Sequence, residues 1–430
     1  MMQAELEAGL GKSVFAKAAW RLIPFMILLY VVSFLDRVNV GFAALTMNHD
    51  LGFTPEIYGF GAGIFFFGYF LFEVPSNVIM ERVGARLWMC RIMLTWGIVS
   101  MATAFVRGPI EFYVVRFLLG LAEAGFFPGM VLYLTYWFPS TMRARFIALF
   151  LAGVPLASVI GGPVSGFILG MENVSGLHGW QWLFLIEGAP ACLLAFVILF
   201  VLPDRPAKAS WLSAEEKNEI ETRLAAEPVR DHHALMPMFA DPRVWLLAIP
   251  DFGIVLALYG IGLWLPQIVK GMGFSNIETG FVVAIPYIAS MIGMVAWGYS
   301  SDLRNERPGH VAIAALLAAA GLIGAAMLGE SIGALVALTI AAIGIYAALS
   351  VFWTLPPSFL GGTAAAGGIA LINSISNLGG FFGPYLMGWL KQSTGGYAAG
   401  MLVLAGGLVL AAGLVMVIGG RALALASAPR

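Results

Sequence analysis

Residues 21–46 read RLIPFMILLYVVSFLDRVNVGFAALT. The run exceeds the roughly twenty apolar residues that span a bilayer as helix. Yet it carries an acid and a base side by side, Asp36 and Arg37. A charge at the centre of such a helix costs roughly 2.5–3.5 kcal/mol on insertion scales, so it persists where it faces protein or a polar path. Similar runs recur along the chain. Sixty per cent of the 430 residues are hydrophobic and 11% are charged, against about 25% charged in ordinary soluble domains. The pattern predicts an all-α membrane protein with twelve transmembrane helices, near 20–46, 57–80, 87–105, 110–137, 143–170, 180–202, 243–271, 277–301, 309–329, 331–359, 363–392 and 397–421.

The interruptions are short except for residues 203–242, where charge is dense. They divide the chain into a six-helix bundle (1–202), a cytoplasmic linker (203–242) and a second six-helix bundle (243–430). Ser213 and Glu216 form an S-x-x-E capping box, predicting an amphipathic helix from Trp211 to Ala226 along the membrane surface. With both termini cytoplasmic, 18 of the 23 Lys and Arg fall on inner segments, three on outer loops and two inside spans. That bias predicts the orientation. No cleavable leader pattern precedes the first run, which is expected to be retained in a multi-pass inner-membrane protein. Two landmarks recur at an offset of 221 residues: Asn77–Glu81 with Gly298–Asp302, and Gly162-Pro163 with Gly383-Pro384. They suggest parallel repeats, giving two pseudo-symmetric bundles.

The intramembrane charges are the candidate site. The first span offers Tyr30, Asp36, Arg37 and Asn39, and the fourth offers Arg116 and Glu123. Seven residues is close to two turns, so Arg116 and Glu123 share a face. Two arginines and two carboxylates facing one another would neutralise each other. They would also make an anion site, because guanidinium forks hold carboxylates bidentately while acids carry protons. The alternative is a structural ion-pair network locking the two helices. Asp36 and Arg37, being adjacent, diverge by about 100° and cannot both serve one partner well. All five histidines fall in loops or at span edges, so carboxylates would have to carry any coupled proton. Glu73 and Glu187 read as structural, through helix-end bonds or contacts between bundles, and Asp251 has no assignable role. The second half is polar without being charged: Tyr259, Trp264 and Gln267, then Tyr346, Trp353 and Pro356-Pro357, then Asn373, Ser374, Ser376 and Asn377. Asn373 and Asn377 share a face, as helix glue or as ligand contacts. Trp264 and Trp353 read as packing residues or interface anchors.

These residues lie in longer strings. DRVNVGFA (36–43), FEVPSN (72–77), RFLLGLAEAGFFPG (116–129), GWQWLFLIEG (179–188), PDRPAKASWLSAEE (203–216) and the run from Phe352 to Pro384 resemble the anion:cation symporter family of the major facilitator superfamily. They are most similar to its tartrate, phthalate and aromatic-acid permease branch. Residues 77–86 resemble a degraded form of the superfamily's loop motif. The resemblance implies a proton-driven organic-anion symporter working by rocking between two bundles. It places the site at Asp36, Arg37, Arg116 and Glu123 and adds Tyr69 and Asn373 as ligand contacts. One departure is the apolar LFLAGVPLAS (149–158), where sugar-acid members carry a polar side chain. That favours a smaller or more apolar acid.

The expected function is import of a small organic carboxylate, tartrate-like or aromatic, with protons. Arg37, Arg116, Tyr69, Asn373, Asn377 and Tyr30 are assigned to substrate, and Asp36 and Glu123 to proton coupling. The fifth-span GPVSG partly resembles an antiporter motif, which keeps an exchanger or exporter open. A membrane sensor is disfavoured because the linker of about forty residues is short for a signalling domain. An enzyme is disfavoured because no nucleophile–base pair or metal-ligand cluster appears. The two cysteines, Cys90 and Cys192, form no CxxC. No cofactor, metal or nucleic-acid partner is expected, only the anion, protons and the lipid bilayer, and a monomer is expected to suffice.

Overall fold

The computed structural model describes residues 2–226, 242–356 and 364–426. Part of the linker, with His232 and His233, lies outside the described residues, as does Pro357. The described residues form fifteen α-helices and no strand. Seven precede the linker: α1 (Met2–Asp50), α2 (Pro55–Val83), α3 (Ala85–Ala102), α4 (Pro109–Glu123), α5 (Phe126–Thr135), α6 (Ser140–Ile168) and α7 (Gly179–Val201). The linker holds α8 (Ala214–Ala225). Then come α9 (Pro242–Gly262), α10 (Leu265–Gly271), α11 (Asn276–Arg304), α12 (Pro308–Leu328), α13 (Ile332–Phe352), α14 (Ala364–Thr394) and α15 (Ala398–Ala426). Counting α4–α5 and α9–α10 as one broken segment each, twelve segments of membrane length remain beside α8. Among the described residues, ten stretches are long and apolar enough to cross a membrane. Helix is the form these runs must take, because in hydrocarbon the backbone has to satisfy its own hydrogen bonds.

The fourth and seventh spans are broken where continuous helices were expected. In the fourth, Gly125 takes a left-handed φ of +85° between α4 and α5. A Cβ on Gly125 would stand 2.3 Å from Ser76 Oγ, so both its conformation and its space demand glycine. In the seventh, Pro266 sits in the first turn of α10. At that position its missing N–H costs no helix hydrogen bond, whereas Pro250 earlier in the same span is carried inside α9. The Leu263 carbonyl freed there accepts a hydrogen bond from Tyr58 of the first half at 2.7 Å.

Packing repeats between the halves. The pairs α2–α4, α3–α7 and α1–α6 are matched by α11–α13, α12–α15 and α9–α14. Across the halves, α2 lies on α14 and α6 on α11. Both contacts run on small residues. A Cβ on Gly59 would meet Pro384 O at 2.6 Å, one on Gly388 would meet Pro55 O at 2.3 Å, and one on Gly162 would meet Gly280 O at 2.5 Å. Helices approach this closely only when neither carries a side chain between them. The contacts cluster toward the end of the bundle at loops 51–54 and 272–275. There Trp264, fully buried, donates to Pro384 O at 3.1 Å and meets Tyr58 edge-on at 4.8 Å. Trp264 is a packing residue, as expected.

The capping box is present: Glu216 N donates to Ser213 Oγ at 3.2 Å and Ser213 N to Glu216 Oε2 at 2.8 Å. α8 starts at Ala214, three residues later than expected. It docks on α1, with Lys17 Nζ 2.8 Å from Glu216 Oε2 and Ile220 buried. Just ahead of it Trp211 stacks on Trp137 at 5.5 Å.

Candidate functional site

The site lies where α1, α2 and α4 of the first half face α9 and α14 of the second. Arg37 points from α1 into this space and pairs with Glu123, the last residue of α4. Its Nη1 donates to Tyr259 of α9 at 3.0 Å. Ser33, one turn earlier on the same face of α1, donates to Glu123 Oε1 at 2.9 Å. Glu123 Oε2 has no partner among the described residues. Breaking the helix straight after Glu123 lets its carboxylate reach across to α1.

Arg116 is wholly buried. Its Nη2 makes one long bond, 3.4 Å, to Ala62 O, and its Nε and Nη1 have no partner among the described residues. The two guanidinium groups flank one ring: Arg37 Cζ is 5.4 Å and Arg116 Cζ 5.2 Å from the centre of Phe65. Tyr69, one turn beyond Phe65, presents its ring to Arg37 at 5.3 Å. Tyr30 is buried on α1, its ring 5.5 Å from Phe127 and 6.2 Å from Phe150.

The structure does not bring all four charged residues together. Asp36 faces α3, where Trp96 Nε1 donates to its Oδ2 at 2.8 Å and Ser100 Oγ to its Oδ1 at 2.9 Å. Asn39 adds a third bond at 3.3 Å. The 100° between neighbours on a helix is the physical reason: with Arg37 aimed at the site, Asp36 must point away. The expectation of two acids facing two arginines is therefore corrected to one acid, Glu123, bound by Arg37 rather than by Arg116. On the second half, Asn373 Nδ2 donates to Glu73 Oε1 at 2.7 Å and Ser374 Oγ to Glu73 Oε2 at 3.3 Å. Asn377 lies against the same carboxylate. Glu73 thus joins α2 to α14, the contact between bundles that its sequence position suggested. Glu187 accepts from Ser165 at 2.7 Å, tying α7 to α6. Asp251 is buried in α9, with Ser376 of α14 against its carboxyl.

Two contributors went unread in the sequence. Ser33 carried a signal, four residues from Arg37 on one face. Phe65 carried none, being one phenylalanine among thirty-one.

An all-helical bundle of twelve segments, one of them broken beside the buried Glu123, is the architecture of a membrane transporter. The chain belongs to the Major Facilitator Superfamily, whose family model matches residues 26–384. A protein of Agrobacterium vitis bearing a tartrate transporter name is 53% identical over 396 residues, covering 91% of this chain and 88% of that one. The quinolone resistance transporter of Acinetobacter baumannii is 45% identical over 400 residues, covering 92% of each chain. Among solved structures, an inward-facing bacterial homologue of the human lysosomal transporter Spinster superposes with a TM-score of 0.75 at 18% identity. It covers 92% of this chain and 96% of that one, and shares the fold. The chain is accordingly a multi-span membrane transporter and not an enzyme.

Proposed function

We propose that this transporter imports a small organic carboxylate together with protons, by alternating access between bundles 1–202 and 243–430. One observation carries the reading: the buried guanidinium of Arg116, two of its nitrogens unpartnered, stands beside the Arg37–Glu123 pair. A buried cation left without hydrogen bonds is costly, and a carboxylate presented to its fork offsets that cost. The faces of Phe65 and Tyr69 close the space between the arginines and suit a planar or compact acid. Arg37, Arg116, Tyr69, Tyr30, Asn373 and Asn377 are assigned to the substrate. Glu123 is assigned to the proton. A substrate that takes Arg37 strips Glu123 of its counter-charge, and a proton then replaces it. Asp36, held by three neutral donors, is the second acid able to take a proton. The likeness to an A. vitis protein with a tartrate transporter name supports the substrate class. The termini are placed in the cytoplasm on the charge bias of the loops.

The test is uptake by proteoliposomes under an imposed pH gradient, with tartrate, phthalate, hydroxyphenylacetate and a sugar acid compared. Accumulation of one acid class that collapses with the gradient is expected. A second reading, export or exchange, is favoured by the relative named as a resistance transporter. Movement that requires a counter-substrate and ignores the pH gradient selects it.

A further inference from the structure

Glu73 is almost fully buried. Among the described residues it has no salt bridge, and its carboxylate is met instead by neutral donors from the opposite half. Asn373 Nδ2 lies at 2.7 Å and Ser374 Oγ at 3.3 Å, one on each oxygen. A carboxylate gripped at both oxygens by an amide and a hydroxyl is how a bound organic acid would be held there. Asn373 is moreover a residue assigned above to substrate. The charges point the same way. Arg37 and Arg116 bring two positive charges to the site and Glu123 one negative charge, while Asp36 turns to α3. Glu73 lies one turn from Tyr69 on the same face of α2, on the side of the site. An ionised Glu73 would supply the negative charge that the site otherwise lacks.

We propose that Glu73 is the empty carrier's internal substitute for the substrate carboxylate. It occupies the Asn373 and Ser374 donors and balances the surplus arginine until an external anion takes over both roles. The proposal rests on the reading of the site as a carboxylate site. Glu73 acts through Asn373 and is a positioning residue. It sets how tightly the substrate binds, by competing with it. It also sets how readily the unloaded carrier reorients, by keeping the two halves joined across a balanced site. Without it, an empty site would carry an uncompensated charge through the membrane interior, which is unfavourable.

Binding of tartrate, phthalate, hydroxyphenylacetate and a sugar acid is measured on purified wild type, Glu73→Gln and Glu73→Ala, alongside net uptake and counterflow exchange in proteoliposomes. Removing a like charge from a poorly screened site is expected to tighten binding about tenfold. Net uptake, which needs the empty carrier to return, is expected to fall about tenfold, while counterflow, which never passes through the empty state, is retained. Glu73→Gln keeps an acceptor for Asn373 and preserves the shape, so it reports even if the alanine variant is unstable. Affinity unchanged or weaker in Glu73→Gln, or uptake and exchange lost together, overturns the proposal and leaves Glu73 a structural tie. Wild type that binds none of the four acids of the uptake test instead refutes the reading of the site itself.

Discussion

The two halves meet at one site but furnish it differently. The first contributes charge: Arg37, Arg116, Glu123 and Glu73, all buried. The second contributes neutral groups: Tyr259, Asn373, Ser374 and Asn377. Charges are costly to bury and costly to separate, so those that must stay matched are best kept on one rigid body. Arg37 and Glu123 are paired within the first half. The links that cross to the second half, from Arg37 to Tyr259 and from Glu73 to Asn373 and Ser374, each have a neutral partner. Such bonds net only about 0.5–1.5 kcal/mol, or 1.5–3 kcal/mol when one partner is charged. Among the described residues, parting the halves at this site would pull no ion pair open.

The largest effect expected from this division is at Arg116. Arg116→Lys keeps the charge and loses the fork, and a bidentate charged contact of about 1.5–3 kcal/mol corresponds to roughly 10- to 100-fold weaker binding. Isothermal titration with the transported acid measures it, and wild-type affinity would take Arg116 out of the site. Next is the proton. Glu123→Gln is expected to exchange substrate in both directions yet fail to concentrate it under a pH gradient, whereas Asp36→Asn, altered on the α3 side, keeps more of the gradient-driven accumulation. If Glu123→Gln still accumulates substrate when driven by pH alone, Asp36 carries the proton.

A smaller effect is expected on the second half. Asn373→Ala should reduce transport about three- to tenfold, the scale of one ordinary hydrogen bond of about 0.5–1.5 kcal/mol, and more than Asn377→Ala. Equal, near-neutral effects would make α14 a packing element and break the division of labour. Smallest is the linker. The Glu216 carboxyl is held below the ordinary glutamate range by Lys17 and by the Ser213 N–H. A depressed carboxylate stabilises the docked helix above its ordinary value near 4.3, and that stabilisation is lost as pH falls through the lower folded value. Exposed pairs contribute little, so Glu216→Gln should move the melting temperature by about a degree at neutral pH, with no difference from wild type in strong acid.

The sequence disclosed what hydrocarbon makes costly. Arg37, Arg116 and Glu123 stand out because a charge in an apolar run needs a reason, and the structure brings all three to one place. The linker helix was legible from Ser213 and Glu216, since a capping box is local chemistry. What stayed hidden is set by distance along the chain. That Arg37 meets Tyr259, or Glu73 meets Asn373, depends on how segments more than 200 residues apart pack. The break at Gly125 was hidden for another reason. Fifty-two glycines are spread along the chain, and only a neighbour such as Ser76, too near to admit a Cβ, tells which one is indispensable.

The contacts of Gly59, Gly162, Gly280 and Gly388 bear on how the carrier can be arrested. At these points main chain rests on main chain, so the closed end is largely a fit of bare surfaces, fastened beside them by the hydrogen bond from Tyr58 to the Leu263 carbonyl. One methyl group is then enough to prop it ajar. Glycine-to-alanine exchange at position 59 or 388 offers a wedge between the halves that leaves every charge in the site untouched.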